Sequence, residues 1–128
     1  MFPPDPNLAA LFGRLGKAIE IGNSREFDAL SVVTATYATY FKYLDTIHQW
    51  LIEHGVAEAK GRDYIATLFK ALATAPETTP DAGFMHLAQK YVTRGGLNEQ
   101  VLRELTTRNL FDLFAERLDD VHRRIVTS

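Results

Sequence analysis

The stretch that most constrains this chain runs from Asn23 to Gly55, because its middle carries no charge on any side. No Asp, Glu, Lys or Arg stands between Asp28 and Lys42. Phe27, Leu30, Thr34, Tyr37, Phe41, Leu44, His48 and Leu51 follow one another at intervals of three and four, which lays one stripe along a helix. Asn23 with Glu26 reads as an N-cap and its capping-box partner, and Gly55 as the left-handed stop beyond the last turn. Such a helix spans roughly 45 Å at ~1.5 Å per residue, against a radius of gyration of roughly 14 Å for a globule of this length. The other side, with Val32, Val33, Ala35, Ala38 and Tyr40, is not polar either. A helix apolar all round has to be covered all round, so a second copy of the chain is expected to share the task through the helix 23–54.

Composition narrows the class. With 128 residues, 46% of them hydrophobic and 23% charged, the chain has the make-up of a folded domain with a core. A formal net charge of −2 provides no basic field for nucleic acid. The absence of cysteine removes disulfides, thiolate metal sites and cysteine nucleophiles. The uncharged run is too short and too rich in Thr and Tyr to span a membrane, and no signal peptide opens the sequence. The expectation is a cytoplasmic protein that binds neither nucleic acid nor membrane.

Taken in order, Asp5 and Pro6 can start a short helix with Leu8, Leu11, Phe12 and Leu15 on one face. Lys17 to Ile21 then alternates like a half-buried strand, the one persuasive strand here. A lone strand leaves both edges unpaired, so either it pairs with its own copy in a dimer or the rest of its sheet is missing; on the second, more economical reading residues 1–22 are the remnant of another domain and 23–128 a helical domain. After the long helix, a second is expected over Ala57 to Ala75, ended by Pro76. A third is capped by Asp81 and runs through Tyr91, a fourth starts near Asn98, and Asn109 caps a last one. The fold class is therefore all-α, a helical bundle around one long central helix, interleaved as a dimer, with a short N-terminal helix and strand left over.

Few residues are placed for chemistry. Gly95-Gly96 stands just before a helix, where residues without Cβ let backbone N–H groups approach an anion, although such a pair is more often a simple turn. The loop is expected to accept a side chain at Gly96 without loss of fold. Thr34, Thr36, Tyr37, Thr39 and Tyr40 either line a polar pocket or bond back to the preceding turn. The four histidines lack zinc-helix spacing, so no metal is expected. Asp119 and Asp120 diverge on their helix, and no Gly-x-Gly-x-x-Gly follows a strand.

Three segments resemble the C-terminal part of pyrroline-5-carboxylate reductase, which reduces a cyclic imine acid to proline with a nicotinamide cofactor. Residues 26–41 resemble the opening of that family's dimerisation helix, where a Ser-Gly-Ser-Gly-Pro-Ala-Tyr segment is usual; Thr34 and Thr36 replace the serines and Tyr40 keeps the tyrosine. Tyr91-Val-Thr-Arg-Gly-Gly-Leu-Asn98 resembles its Val-Thr-Ser-Pro-Gly-Gly-Thr-Thr loop, and residues 9–20 resemble the end of its nucleotide-binding domain. The resemblance implies a homodimer in which Gly95, Gly96 and Leu97 cradle a substrate carboxylate, with Thr34 and Thr36 nearby. It implies a catalytic position at Asn98, where the family has a threonine, and NADP or NAD bound by a domain other than 23–128. This chain alone is then not expected to turn over an imine or keto acid. The helical domain of hydroxyacid dehydrogenases is a poorer match, since its lysine with an asparagine four residues on finds only Lys42 with Thr46 and Lys90 with Arg94. A stand-alone helical homodimer serving as a scaffold is the alternative.

Overall fold

The computed structural model describes residues 22–127. The expected helix over 8–15 and strand over 17–21 lie outside the described residues. Those described are all-helical, without a strand, and no helix among them is long and apolar enough to cross a membrane. They fall into two compact units, 22–41 with 112–127 and Lys42–Phe111.

The first unit begins with α1 (Ser24–Val33). Asn23 is extended and its Oδ1 accepts the Glu26 N–H at 2.9 Å, the cap read from the sequence. The α-ladder then gives way to a 3₁₀ turn (Thr34–Thr36) before α2 (Tyr37–Glu53) resumes it. The chain is helical across 24–53 as expected, but not as one uninterrupted α-helix. The predicted stripe divides accordingly: Phe27, Leu30 and Thr34 are half-buried, while Tyr37 is exposed and Phe41 is 65% exposed. Most of the last helix, α6 (Leu110–Thr127), belongs to this unit. On it Asp120 takes Arg117 Nε at 3.1 Å and pairs with Arg123, an exposed network worth little to stability.

In the second unit the rest of α2 presents Leu44, Ile47, His48 and Leu51 half-buried. Its end is a complete Schellman motif: Gly55 has φ +92°, its N–H donates to Ile52 O at 3.1 Å, and the Val56 N–H donates to Leu51 O at 3.0 Å. At this terminus Trp50 stacks on His54 with ring centroids 3.9 Å apart, and His54 Nδ1 lies 2.8 Å from Trp50 O. The turn returns the chain into α3 (Glu58–Thr78). His48 Nε2 lies 2.9 Å from Glu58 O, Gly61 is buried against the same imidazole, and Tyr43 meets Phe69 edge-on. His48 is thus a half-buried histidine packed against the start of α3.

Three boundaries differ from expectation. Pro76 lies inside α3 rather than ending it: a proline this close to a C-terminus removes one N–H, and the Thr79 N–H and the Thr78 and Thr79 hydroxyls all turn to Ala75 O to close the last turn. Asp81 does not cap the next helix, because α4 (Phe84–Gln89) starts two residues later from Gly83, without a side-chain cap, and stops before Tyr91. Asn109 has φ +62° and its N–H donates to Thr106 O at 3.0 Å. It terminates α5 (Leu97–Thr107) in the left-handed conformation that asparagine tolerates, rather than serving as an extended cap for α6.

Very little apolar surface is sealed. Among the described large hydrophobic residues only Val32 and Ile65 are buried, whereas Val33, Tyr40, Phe41, Trp50, Tyr64, Phe84 and Leu97 are exposed. A self-sufficient core of this composition would bury Ile, Val, Leu and Phe by preference.

Candidate functional site

The glycine loop sits in the second unit, where Thr93 to Gly96 leads into α5. Gly95 adopts φ +75°, a left-handed conformation that turns the chain, and Gly96 is the extended N-cap. Gly95, Gly96, Leu97 and Asn98 therefore come together on one turn, with Leu97 82% exposed and Asn98 exposed.

The donors of this loop have internal partners. The Gly95 N–H donates to Glu99 Oε1 at 3.1 Å, and the Gly96 N–H donates to Thr93 O at 2.8 Å. Glu99 is held in turn by Arg103 Nη1 at 3.5 Å. A carboxylate does lie on the amide the sequence singled out, but it is the chain's own. Glu99 was overlooked although its spacing is informative: it stands three residues after the N-cap, as in a capping box.

Gly96 cannot take a side chain freely. A Cβ there would lie 2.3 Å from Thr93 Oγ1 and 3.0 Å from Thr93 O. The expectation that Gly96 is replaceable without cost to the fold is corrected: its hydrogen atom occupies the space that closes the turn.

Thr34 and Thr36 belong to the first unit and are described there. Thr34 Oγ1 donates to Ser31 O and Thr36 Oγ1 to Val33 O, each at 2.7 Å. Both threonines of this hydroxyl-rich run therefore bond back to the preceding turn.

The sequence also left unmarked a groove of about 540 Å³ in the first unit, lined by Ala29, Val32, Val33 and Thr36 of the first helical stretch and by Phe114, Leu118, Asp119 and His122 of α6. The intervals of three and four that join these residues on each helix are its signal. In the second unit a depression is lined by Thr79, Pro80, Asp81, Ala82, His86 and Lys90. No group of three or more metal-ligating side chains gathers among the described residues.

Compared with known proteins, the chain matches no protein-family model, no curated protein and no solved structure.

Proposed function

We propose that this chain is the dimerisation and substrate-cradling part of a nicotinamide-dependent oxidoreductase resembling pyrroline-5-carboxylate reductase, acting on a small imine or keto acid in proline biosynthesis or a related reduction. The observation that carries the reading is the open apolar face of the long helical stretch. Val33, Tyr37, Tyr40 and Phe41 are all exposed on residues that no charge interrupts, and covering such a face is the work of a second chain. The resulting assembly is a homodimer interleaved through the helix 23–54. The paired glycines before α5 supply the second support, with Gly95, Gly96 and Leu97 toward the substrate carboxylate and Asn98 at the position of the catalytic threonine.

The cofactor, NADP or NAD, does not fit on residues 22–127, which contain no strand-turn-helix with a glycine fingerprint. No chemical step is assigned to these residues alone, and a cytoplasmic setting follows from the proposed activity. Sedimentation equilibrium tests the assembly. A dimer persisting at low micromolar concentration is the expected result, and a monomer would overturn the reading.

One observation favours a second reading. With Glu99 on the Gly95 amide, the loop is complete as a helix cap without any substrate, which suits a helical homodimer that acts as a scaffold. Titration of the chain with L-proline, followed at the Gly95 and Gly96 amide resonances, separates the two: movement of both supports the cradle, and invariance supports the scaffold.

A further inference from the structure

The groove between the first helical stretch and α6 continues toward the point where the described chain begins. It shares Ala29 and His122 with a second depression, which is lined by Asn23, Arg25, Glu26 and Asp28. The two adjoin there and make one furrow from Asn23 to Thr36. Its deeper part is apolar, with Val32, Val33, Phe114 and Leu118. Phe114 is 39% and Val33 57% exposed. Protein interiors leave few voids larger than a water molecule, so a gap of about 540 Å³ between these side chains has room for an occupant.

The segment that leads into the furrow carries a matching pattern. Leu8, Leu11, Phe12 and Leu15 stand at i, i+3, i+4 and i+7, and the groove takes Ala29, Val32, Val33 and Thr36 at the same intervals. A short connection makes two such neighbours antiparallel. Residues 16–22 supply it, within the roughly 2–8 residues usual between packed helices. Fully extended they reach roughly 23 Å, against roughly 13 Å from the start of α1 to Val32 and Val33. Charge agrees. Between Asp5 and Glu20 the only charged residues are Arg14 and Lys17, whereas the rim of the furrow has Glu26, Asp28 and Asp119 against Arg25. Antiparallel seating brings Arg14 and Lys17 to the Asn23 end, beside Glu26 and Asp28.

We propose that residues 8–15 seat as a helix in this furrow of their own chain, with Leu8, Leu11, Phe12 and Leu15 against Val32, Val33, Phe114 and Leu118. A segment on so short a tether meets the furrow at a millimolar effective concentration, which a separate chain at micromolar concentration does not match. Seating closes apolar surface that the described residues leave open, and makes residues 8–15 a working part of the helical unit. The dimer reading is not needed for it. Among the described residues the lining stops at Thr36, short of the exposed Tyr37, Tyr40 and Phe41.

Because the chain has no cysteine, Ala10→Cys takes a single nitroxide label on the full chain, on the side of the helix away from the stripe. NMR then reads the amide signals of Val32, Val33, Phe114 and Leu118. These are expected to lose most of their intensity while the label is paramagnetic and to regain it once the label is reduced. In a mixture of isotope-labelled chain without nitroxide and nitroxide chain without isotope, the same signals should keep their intensity. Phe12→Ser in the labelled chain is expected to restore most of the lost intensity. Arg14→Glu should restore part of it, and less at high salt. No loss in the labelled chain overturns the proposal, and so does a Phe12→Ser chain broadened like its parent. Equal loss in the mixture overturns it too, since a second copy's segment is then the occupant. An Arg14→Glu chain broadened like its parent at low salt overturns the charge pairing.

Discussion

The carboxylate of Glu99 accepts the amide of Gly95 at 3.1 Å across the first turn of α5. A negative charge at a helix N-terminus complements the partial positive charge of the unpaired amides there, and Arg103, one turn on, steadies it. The loop is thereby closed from within.

Replacing Glu99 by Ala removes that contact. The side chain is partly exposed, so the expected loss is about 0.5–1 kcal/mol, read as a lower denaturation midpoint with an unchanged slope in urea. Glu99→Gln, which keeps an acceptor oxygen, is expected to lose about half as much. Equal stability in all three proteins would show that the contact contributes nothing.

Gly55 and Gly95 isolate a backbone effect. Both have positive φ, and a Cβ on either would meet nothing within 4 Å, so substitution there costs conformation and no crowding. Gly55→Ala is expected to destabilise by about 1–2 kcal/mol and Gly55→Asn by clearly less. If Ala and Asn cost the same, the left-handed turn is not what the glycine supplies.

Gly61 poses the opposite case. A Cβ there would stand 3.2 Å from His48 Cδ2, tighter than ordinary contact. Gly61→Val should destabilise by about 1–3 kcal/mol through overpacking, and combining it with His48→Ala should recover part of that loss. The double-mutant cycle checks it: strict additivity would mean that the imidazole is not the obstacle.

Phe41→Glu distinguishes an open face from a covered one. At 65% exposure in the single chain, the change costs a monomer little. In the proposed dimer it would bury an unpaired charge and cost about 3 kcal/mol or more of association. Sedimentation before and after the change measures it, and undiminished association would place the interface elsewhere.

The sequence made the helix termini legible where a single residue type answers a single geometric demand. Asn23 and Gly55 were readable because few residues can cap a helix start or take a positive φ. The positions misplaced are those where several neighbours share a task. Pro76 was overruled by three donors converging on Ala75 O, and Asp81 by a loop that delays α4 until Gly83. At the candidate site the glycines could be found by type, whereas Glu99 depended on knowing that α5 begins at Leu97 and not at Asn98. The division of the long stripe was invisible for a related reason: periodicity counts residues, and Thr34–Thr36 changes the angle each residue contributes.

The stacked pair at the end of α2 gives the chain a built-in optical gauge. Trp50 is its only tryptophan, and contact with the His54 imidazole holds the indole in one stacked environment only while the last turn is wound. Emission should therefore change when that terminus frays. A single fluorophore then reports whether the hairpin of α2 and α3 is intact, without any label and separately from the fate of the aromatic face ahead of it.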